Sequence, residues 1–252
     1  MVSRQARILE IITENGKTEV TRLAELLGVS QVTIRKDLAA LEEKGILRRE
    51  HGHALLFSGE DIGSRLAYHY DCKRRIAETA AGMVSDGETV MIESGSCCAL
   101  LAEALVASRR DITIVTNSAF IAGYIRRSGG AKIILLGGDF QPEAQVMVGP
   151  MLRQCSENFF VDKLFVGADG FIPAYGFTGS DMRRAEAVRD MARQASQVIV
   201  LTESQKFSQK GTVALLPAKQ VRTVVTDTAI PADMRTLLEE NGTQLLLIDP
   251  AK

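Results

Sequence analysis

Long apolar runs are missing from this 252-residue sequence. No stretch approaches the roughly 18 uninterrupted apolar residues of a membrane span, so a spanning protein is not expected. The opening MVSRQARILE has neither an apolar run nor a small-residue cleavage site. No secretory signal is therefore expected, and a cytoplasmic protein is. Cysteine is scarce: Cys72, Cys97, Cys98 and Cys155 include no pair at metal-ligand spacing, and adjacent cysteines rarely bridge. The expectation is a reduced chain with no metal and no cofactor. Histidine is scarcer, at 51, 53 and 69 alone, which leaves the rest of the chain without an imidazole for acid–base work. An excess of charge is also lacking. Residues 1–57 carry a net +1 and the remainder −2, so any contact with nucleic acid must come from local placement.

What is present suits a globular chain of two domains, with 46% hydrophobic and 24% charged residues. Residues 4–14 set Ile8, Leu9, Ile11 and Ile12 on one helical face, stopped by Asn15-Gly16. A second helix is predicted over 19–27, with Val20, Leu23, Ala24 and Leu27 apolar and Gly28 as terminator. Ser30 stands as N-cap to a third helix with Val32, Ile34, Leu38 and Leu41 on its apolar side, ending at Lys44-Gly45. Residues 46–57 read as a two-stranded wing.

Two helices joined by a glycine-containing turn form a helix-turn-helix, whose second helix can enter a major groove. The third helix offers Ser30, Gln31, Thr33, Arg35 and Lys36. Gln and Arg can pair bidentately with base edges, while Thr and Lys commonly hold phosphates. Arg48, Arg49 and His51 on the wing are candidates for the backbone or minor groove. An ordinary solvated helix face remains the competing reading of the same charges.

The string over residues 23–54, with VSQVTIRKDL at 29–38, resembles the winged helix-turn-helix of the DeoR family of bacterial transcriptional repressors. That family commonly closes its wing with His-Gly-Gly-Ala; here it is His51-Gly52-His53-Ala54, so the wing turn is expected to differ. Residues 58–72 read as an aperiodic linker between a DNA-binding domain at 1–57 and a second domain at 73–252.

The second domain alternates helix and strand. Helices are predicted at 73–85, 100–107, 120–127 and 182–195, and strands at 89–93, 112–116, 132–136, 163–166, 198–201, 221–226 and 244–248. The expected class is α/β: a Rossmann-like, mainly parallel sheet covered on both faces, with ligands outside the carboxyl ends of its strands. Those ends carry Glu93, Gly95, Ser96, Cys97 and Cys98, then Asn117, Gly137 and Gly138, Asp169, and Lys206. A glycine turn opening onto a helix can offer amides to an anion. Glycines 137 and 138 would let a backbone approach a ligand, although such residues also occur in ordinary α/β loops.

The family resemblance continues here. It implies a sugar-phosphate sensing domain akin to ribose-5-phosphate isomerase and glucosamine-6-phosphate deaminase, on Glu93-Ser-Gly-Ser-Cys97 in place of the usual Asp-x-Gly-Thr-Thr. Thr116-Asn117, Gly137-Gly138, Glu186 and Gln205-Lys206-Phe207 extend the likeness. By that resemblance Ser96 and the amides around Cys97 and Cys98 hold phosphate, Lys206 adds charge, and Asn117, Glu93, Asp169 and Glu186 meet hydroxyls. Two residues have alternatives: Glu186 as an ion pair with Arg183 or Arg189, and Lys206 as a solvated loop lysine. The two thiols near a helix N-terminus also raise a redox reading through lowered pKa values.

The resemblance thus implies a regulator, repressing a carbohydrate operon on double-stranded operator DNA and released by a phosphorylated sugar, working as a homodimer or homotetramer and not as an enzyme. The alternative is a phosphosugar isomerase or deaminase with a DNA-binding arm.

Overall fold

The structure is a computed structural model and describes residues 3–57 and 61–249. The chain divides into two compact units, one running to Asp71 and the other from Cys72.

The first unit holds α1 (Arg4–Asn15), β1 (Thr18–Glu19), α2 (Val20–Leu27), α3 (Gln31–Glu43), β2 (Arg48–Glu50), β3 (His53–Leu55) and α4 (Ile62–Ala67). Helix periodicity buries Ile8, Leu9 and Ile12 of α1, Leu23 of α2, and Ile34, Leu38 and Leu41 of α3 in one core with Ile46 and Leu47. Gly28 ends α2 in the left-handed region (φ 65°), and its N–H and that of Val29 return to the carbonyl of Ala24. Ser30 then caps α3, its Oγ accepting from the Thr33 N–H at 3.2 Å. The wing is a three-stranded antiparallel sheet in the order β1-β3-β2, a strand more than the sequence suggested.

Its hairpin turns on His51 (φ 47°) and Gly52 (φ 82°), both left-handed, which is what a two-residue turn between twisted strands requires. The departure at position 53 falls in β3 rather than in the turn. There His53 lies opposite Glu19, with Nε2 3.5 Å from its carboxylate.

The linker expected at 58–72 needs correction. Residues 58–60 lie outside the described residues, but Asp61 caps α4 by accepting from the N–H groups of Gly63 and Ser64, and Ile62, Leu66 and Ala67 are buried. A Cβ on Gly63 would lie 2.1 Å from the Gly45 carbonyl oxygen, so α4 packs directly on the turn after α3. A six-residue helix with a glycine inside it is too short to show a period.

The second unit opens with α5 (Tyr70–Ala81), which begins at the boundary. It continues through β4 (Thr89–Ile92), α6 (Ser96–Ser108), β5 (Ile112–Thr116), α7 (Ala119–Ile125) and β6 (Ala131–Leu135). The hairpin β7 (Asp139–Gln141) and β8 (Val146–Val148) and helix α8 (Pro150–Ser156) follow. Then come β9 (Val161–Val166), β10 (Gly170–Ile172), β11 (Gly176–Gly179), α9 (Met182–Ala192), β12 (Ala195–Leu201), β13 (Val213–Leu216), β14 (Thr223–Asp227), α10 (Ala232–Glu240) and β15 (Gln244–Ile248).

Seven strands form a parallel sheet in the order β15-β14-β12-β9-β4-β5-β6. The strand β4 and the carboxyl-terminal halves of β9 and β12, Leu164–Val166 and Val198–Leu201, are apolar and buried apart from Thr89 at the start of β4, as helices on both faces demand. The order reverses between β4 and β9, as in a doubly wound Rossmann-like sheet, so the crevice for a ligand lies between the loops that follow those two strands. A small antiparallel sheet, β10-β11-β13, brings Phe171 and Phe177 into an aromatic cluster with Phe207 of the 3-10 turn at Ser204–Ser208.

Candidate nucleic-acid interface and sensor site

In the first unit α3 presents a polar face opposite its buried Ile34, Leu38 and Leu41, and the eight DNA candidates fall into distinct local roles. Ser30 is the helix cap, and its Oγ is also 3.0 Å from Thr33 Oγ1. Gln31 bridges two partners: its amide donates to Thr21 Oγ1 at 3.3 Å and its carbonyl accepts from Arg35 Nη2 at 3.0 Å. Arg35 and Lys36 are exposed. On the wing Arg48 pairs with Glu50 at 2.9 Å, and Arg49 with Glu42 at 2.6 Å. Arg49 Nε donates to the same Glu42 oxygen at 2.7 Å, and the Arg49 backbone N–H adds a third contact, at 2.8 Å, to the other one. Burial would raise the Glu42 carboxyl, but the bonds and charge of Arg49 outweigh it and hold the group below the usual range. His51 is exposed at the hairpin tip. Val32 was read as an apolar-side residue of α3; it is instead 60% exposed and stands among the polar candidates.

In the second unit the switch point is held by Glu93. Its Oε2 accepts from the N–H groups of Gly95 at 2.9 Å and Gly167 at 3.1 Å, and its Oε1 accepts from Ser94 Oγ at 2.6 Å. The carboxylate thus staples the loop after β4 to the loop after β9. A Cβ on Gly95 would lie 3.1 Å from the Gly167 Cα, so a side chain there would push the two backbones apart by a few tenths of an ångström. Gly95 is also the N-cap of α6 and supplies no side-chain cap, leaving the first amides of that helix to other partners. Ser96, Cys97 and Cys98 occupy that first turn and are buried.

Other sequence-derived residues have local work. Asn117, at the end of β5, donates from Nδ2 to the Met147 carbonyl at 3.2 Å, while its buried Oδ1 has no hydrogen-bond partner. Gly138 meets protein rather than open space: a Cβ there would lie 2.6 Å from the Val148 carbonyl oxygen, so this glycine serves the contact with β8. The neighbouring Gly137 lies near Cys155. Asp169 Oδ2 accepts from Ser180 N–H and Oγ at 3.1 and 2.9 Å. Lys206 donates to Gln209 at 2.9 Å, within a 3-10 turn at Ser204–Ser208.

Glu186 is exposed in a cleft between α8 and α9 with Gly149, Arg153 and Arg189, a different neighbourhood from the Glu93 staple. The redox reading of the thiols meets an opposing effect at Cys98. Burial first, then the nearby Glu93 charge, pushes that thiol well up, outweighing its place in the first turn of α6.

Sequence reasoning passed over a buried charged cluster at the ends of β12 and β14. Lys73 and Glu203 are 5% and 4% exposed, with Nζ 3.6 Å from Oε2. Beside them the Asp227 carboxylate accepts from the Ser204 N–H at 2.7 Å and from the Cys72 thiol at 3.7 Å. Burial, followed by the Asp227 and Glu203 charges, pushes the Cys72 thiol up to about 12. Thr202-Glu203 at a strand end was visible in the sequence; nothing there marked Lys73, the first residue of the helix predicted at 73–85 and the fourth of α5, as its partner.

The comparisons with known proteins cover both units. The DeoR-like helix-turn-helix domain matches residues 4–59, and the DeoR C terminal sensor domain matches residues 68–228. A putative aga operon transcriptional repressor of Escherichia coli O157:H7 is 28% identical, across 97% of this chain and 93% of its own length. The transcriptional repressor AccR of Agrobacterium fabrum is 30% identical, across 94% and 93%. Among solved structures, ribose 5 phosphate isomerase A from Neisseria gonorrhoeae is 19% identical, with a TM-score of 0.41 over 54% of this chain and 52% of that one. The curated relatives matched nearly end to end are transcriptional regulators, which weighs against the isomerase or deaminase alternative. With a family model on each unit and relatives along almost its whole length, this chain belongs to the DeoR family and is a DNA-binding transcriptional regulator rather than an enzyme.

Proposed function

We propose that this chain represses a carbohydrate operon in the cytoplasm, binding operator DNA through α3 and the wing and releasing it when a phosphorylated sugar occupies the sensor unit. The observation that carries the DNA half is the capped α3, with its apolar residues Ile34, Leu38 and Leu41 in the core and Arg35 and Lys36 outward. Arg35 reads a base edge, Lys36, Thr33 and Ser30 hold phosphates, and Gln31 positions Arg35 or reads a base itself. Arg48, Arg49 and His51 on the wing grip the flanking backbone. Arg49 exchanges Glu42 for a phosphate as it does so.

The sensor reading rests on the switch point. Amides at the start of α6, around Ser96, Cys97 and Cys98, are suited to a phosphate. The unpartnered Asn117 Oδ1 accepts from a hydroxyl. Asp169, Lys206 and Glu186 are assigned to the same effector by resemblance alone, and Gly137 and Gly138 shape the adjoining loop. One relative supports a sugar-linked role by name, an L-fucose operon activator of Haemophilus influenzae.

A single helix-turn-helix buries little surface, so a homodimer or homotetramer reading two half-sites is the working form. The effector shifts operator affinity only by its different affinity for the two subunit arrangements. Replacing Arg35 with Ala tests the reading. Specific binding should weaken by about 1–3 kcal/mol, the range for a bidentate base contact, with the sensor unit still folded. Unchanged affinity and sequence preference would remove Arg35 from the base-reading role.

A further inference from the structure

Val32 is the residue of α3 that neither packing nor helix formation accounts for. It is 60% exposed, in a helix whose other large aliphatic side chains are fully buried. At 3.6 residues per turn it points about 150° away from the mean direction of Ile34, Leu38 and Leu41, and Lys36 follows one turn later on the same outward line. Valine is β-branched and a poorer helix former than alanine, so its place at the second position of an exposed helical turn gives the fold no gain. Gln31, beside it, is already engaged by Thr21 and Arg35. The most outward side chains at the start of this helix are therefore an apolar one and a cation.

We infer that Val32 is a specificity-determining residue that reads thymine through its C5-methyl group in the major groove. Among major-groove base edges, that methyl is the apolar feature, and small aliphatic side chains meet it by contact alone. The geometry adds a division of labour. Val32 selects a thymine, Arg35 one turn later bonds an adjoining base edge, and Lys36 on the same line neutralises backbone charge. This rests on the proposed operator binding by α3, and the test separates the two.

The full-length protein is first used to select its binding site from random-sequence duplexes. Anisotropy at fixed salt then compares that site with versions in which each thymine is replaced singly by uracil, deleting the methyl and keeping the base pair. Wild-type protein is expected to lose affinity about fourfold at one thymine per half-site, the effect of one buried methyl-sized group. Val32→Ala should bind the unaltered site about fourfold less tightly and become indifferent to uracil at that position. Because Val32 is exposed and alanine favours helix, the variant keeps its fold, which circular dichroism checks. A Val32→Ala protein that stays as sensitive to uracil as wild type overturns the inference, as does a wild type indifferent to every uracil. If no specific site is selected at all, the operator reading itself has failed and this one goes with it.

Discussion

Replacing Glu93 with alanine tests whether this carboxylate is a ligand-binding group or a structural staple. It is 8% exposed and accepts from two backbone amides and one hydroxyl, joining the loop after β4 to the loop after β9. Hydrogen bonds to a charged acceptor contribute about 1.5–3 kcal/mol each, and a buried amide left unsatisfied costs about 1–3 kcal/mol. These overlap and do not add in full, so about 3–5 kcal/mol is expected for Glu93→Ala. For a unit of this size that is a fall in Tm of roughly 6–20 °C. Glu93→Gln keeps an acceptor for the amides while losing the charge, and should cost about 1–2 kcal/mol. The assay is thermal unfolding of the full chain, following the transition of the sensor unit for both variants. A Glu93→Ala protein that melts within a degree of wild type while failing to respond to effector would refute the staple and return Glu93 to the ligand.

Three further outcomes follow from the same geometry. Lys73→Met leaves Glu203 buried with its ammonium partner gone and should cost about 3–5 kcal/mol, while adding Glu203→Gln should recover part of that; urea unfolding of both variants measures the coupling. Ser30→Ala removes the cap of α3 and should cost about 1 kcal/mol in the DNA-binding unit, with weaker operator binding at the same salt. The Glu42–Arg49 contact predicts an acid-sensitive wing. Since the folded pKa of Glu42 lies below its unfolded value, its contribution is complete above the unfolded pKa and disappears as pH falls through the folded one. Unfolding of the first unit followed from pH 7 to pH 3 should therefore show a shallower acid limb in Glu42→Gln.

Local signals carried much of the architecture. Strands β5 and β15 occupy the spans their apolar runs predicted, 112–116 and 244–248, because a parallel strand covered by helices reads as a short hydrophobic run whether it lies inside the sheet, as β5 does, or at its edge, as β15 does. The cap and stop of α3 were legible from Ser30 and from Lys44-Gly45 for the same reason: each acts within its own turn. The β10-β11-β13 sheet was not legible, since its strands are short, two of them contain glycine, and β13 pairs with β11 across the chain. Helices α8 and α10 are short as well, and the first begins on Pro150, which is compatible with a first helical turn but also with a plain loop.

At the sites, residue type and place were readable while partners were not. Glu93 stands at the expected strand end, but its bond to Gly167 joins segments 74 positions apart. Gly138 was expected beside a ligand because glycine permits close approach, and the sequence could not say that the approaching group is the Val148 carbonyl. Val32 was grouped with the apolar side of α3 by residue type, although the helical period sets it about 150° from the mean direction of Ile34, Leu38 and Leu41, and it is exposed.

The central claim is an operator-binding regulator released by a phosphorylated sugar. Its most direct test is fluorescence anisotropy of the full-length protein on its upstream DNA, at one fixed salt concentration and titrated with a panel of sugar phosphates. Salt must be held because phosphate contacts make affinity steeply dependent on ionic strength. Tight, sequence-specific binding that one sugar phosphate reverses is the predicted result. Specific binding that no sugar phosphate alters would contradict the effector assignment at the Glu93 switch point, and an equal affinity for unrelated duplexes would contradict the operator reading.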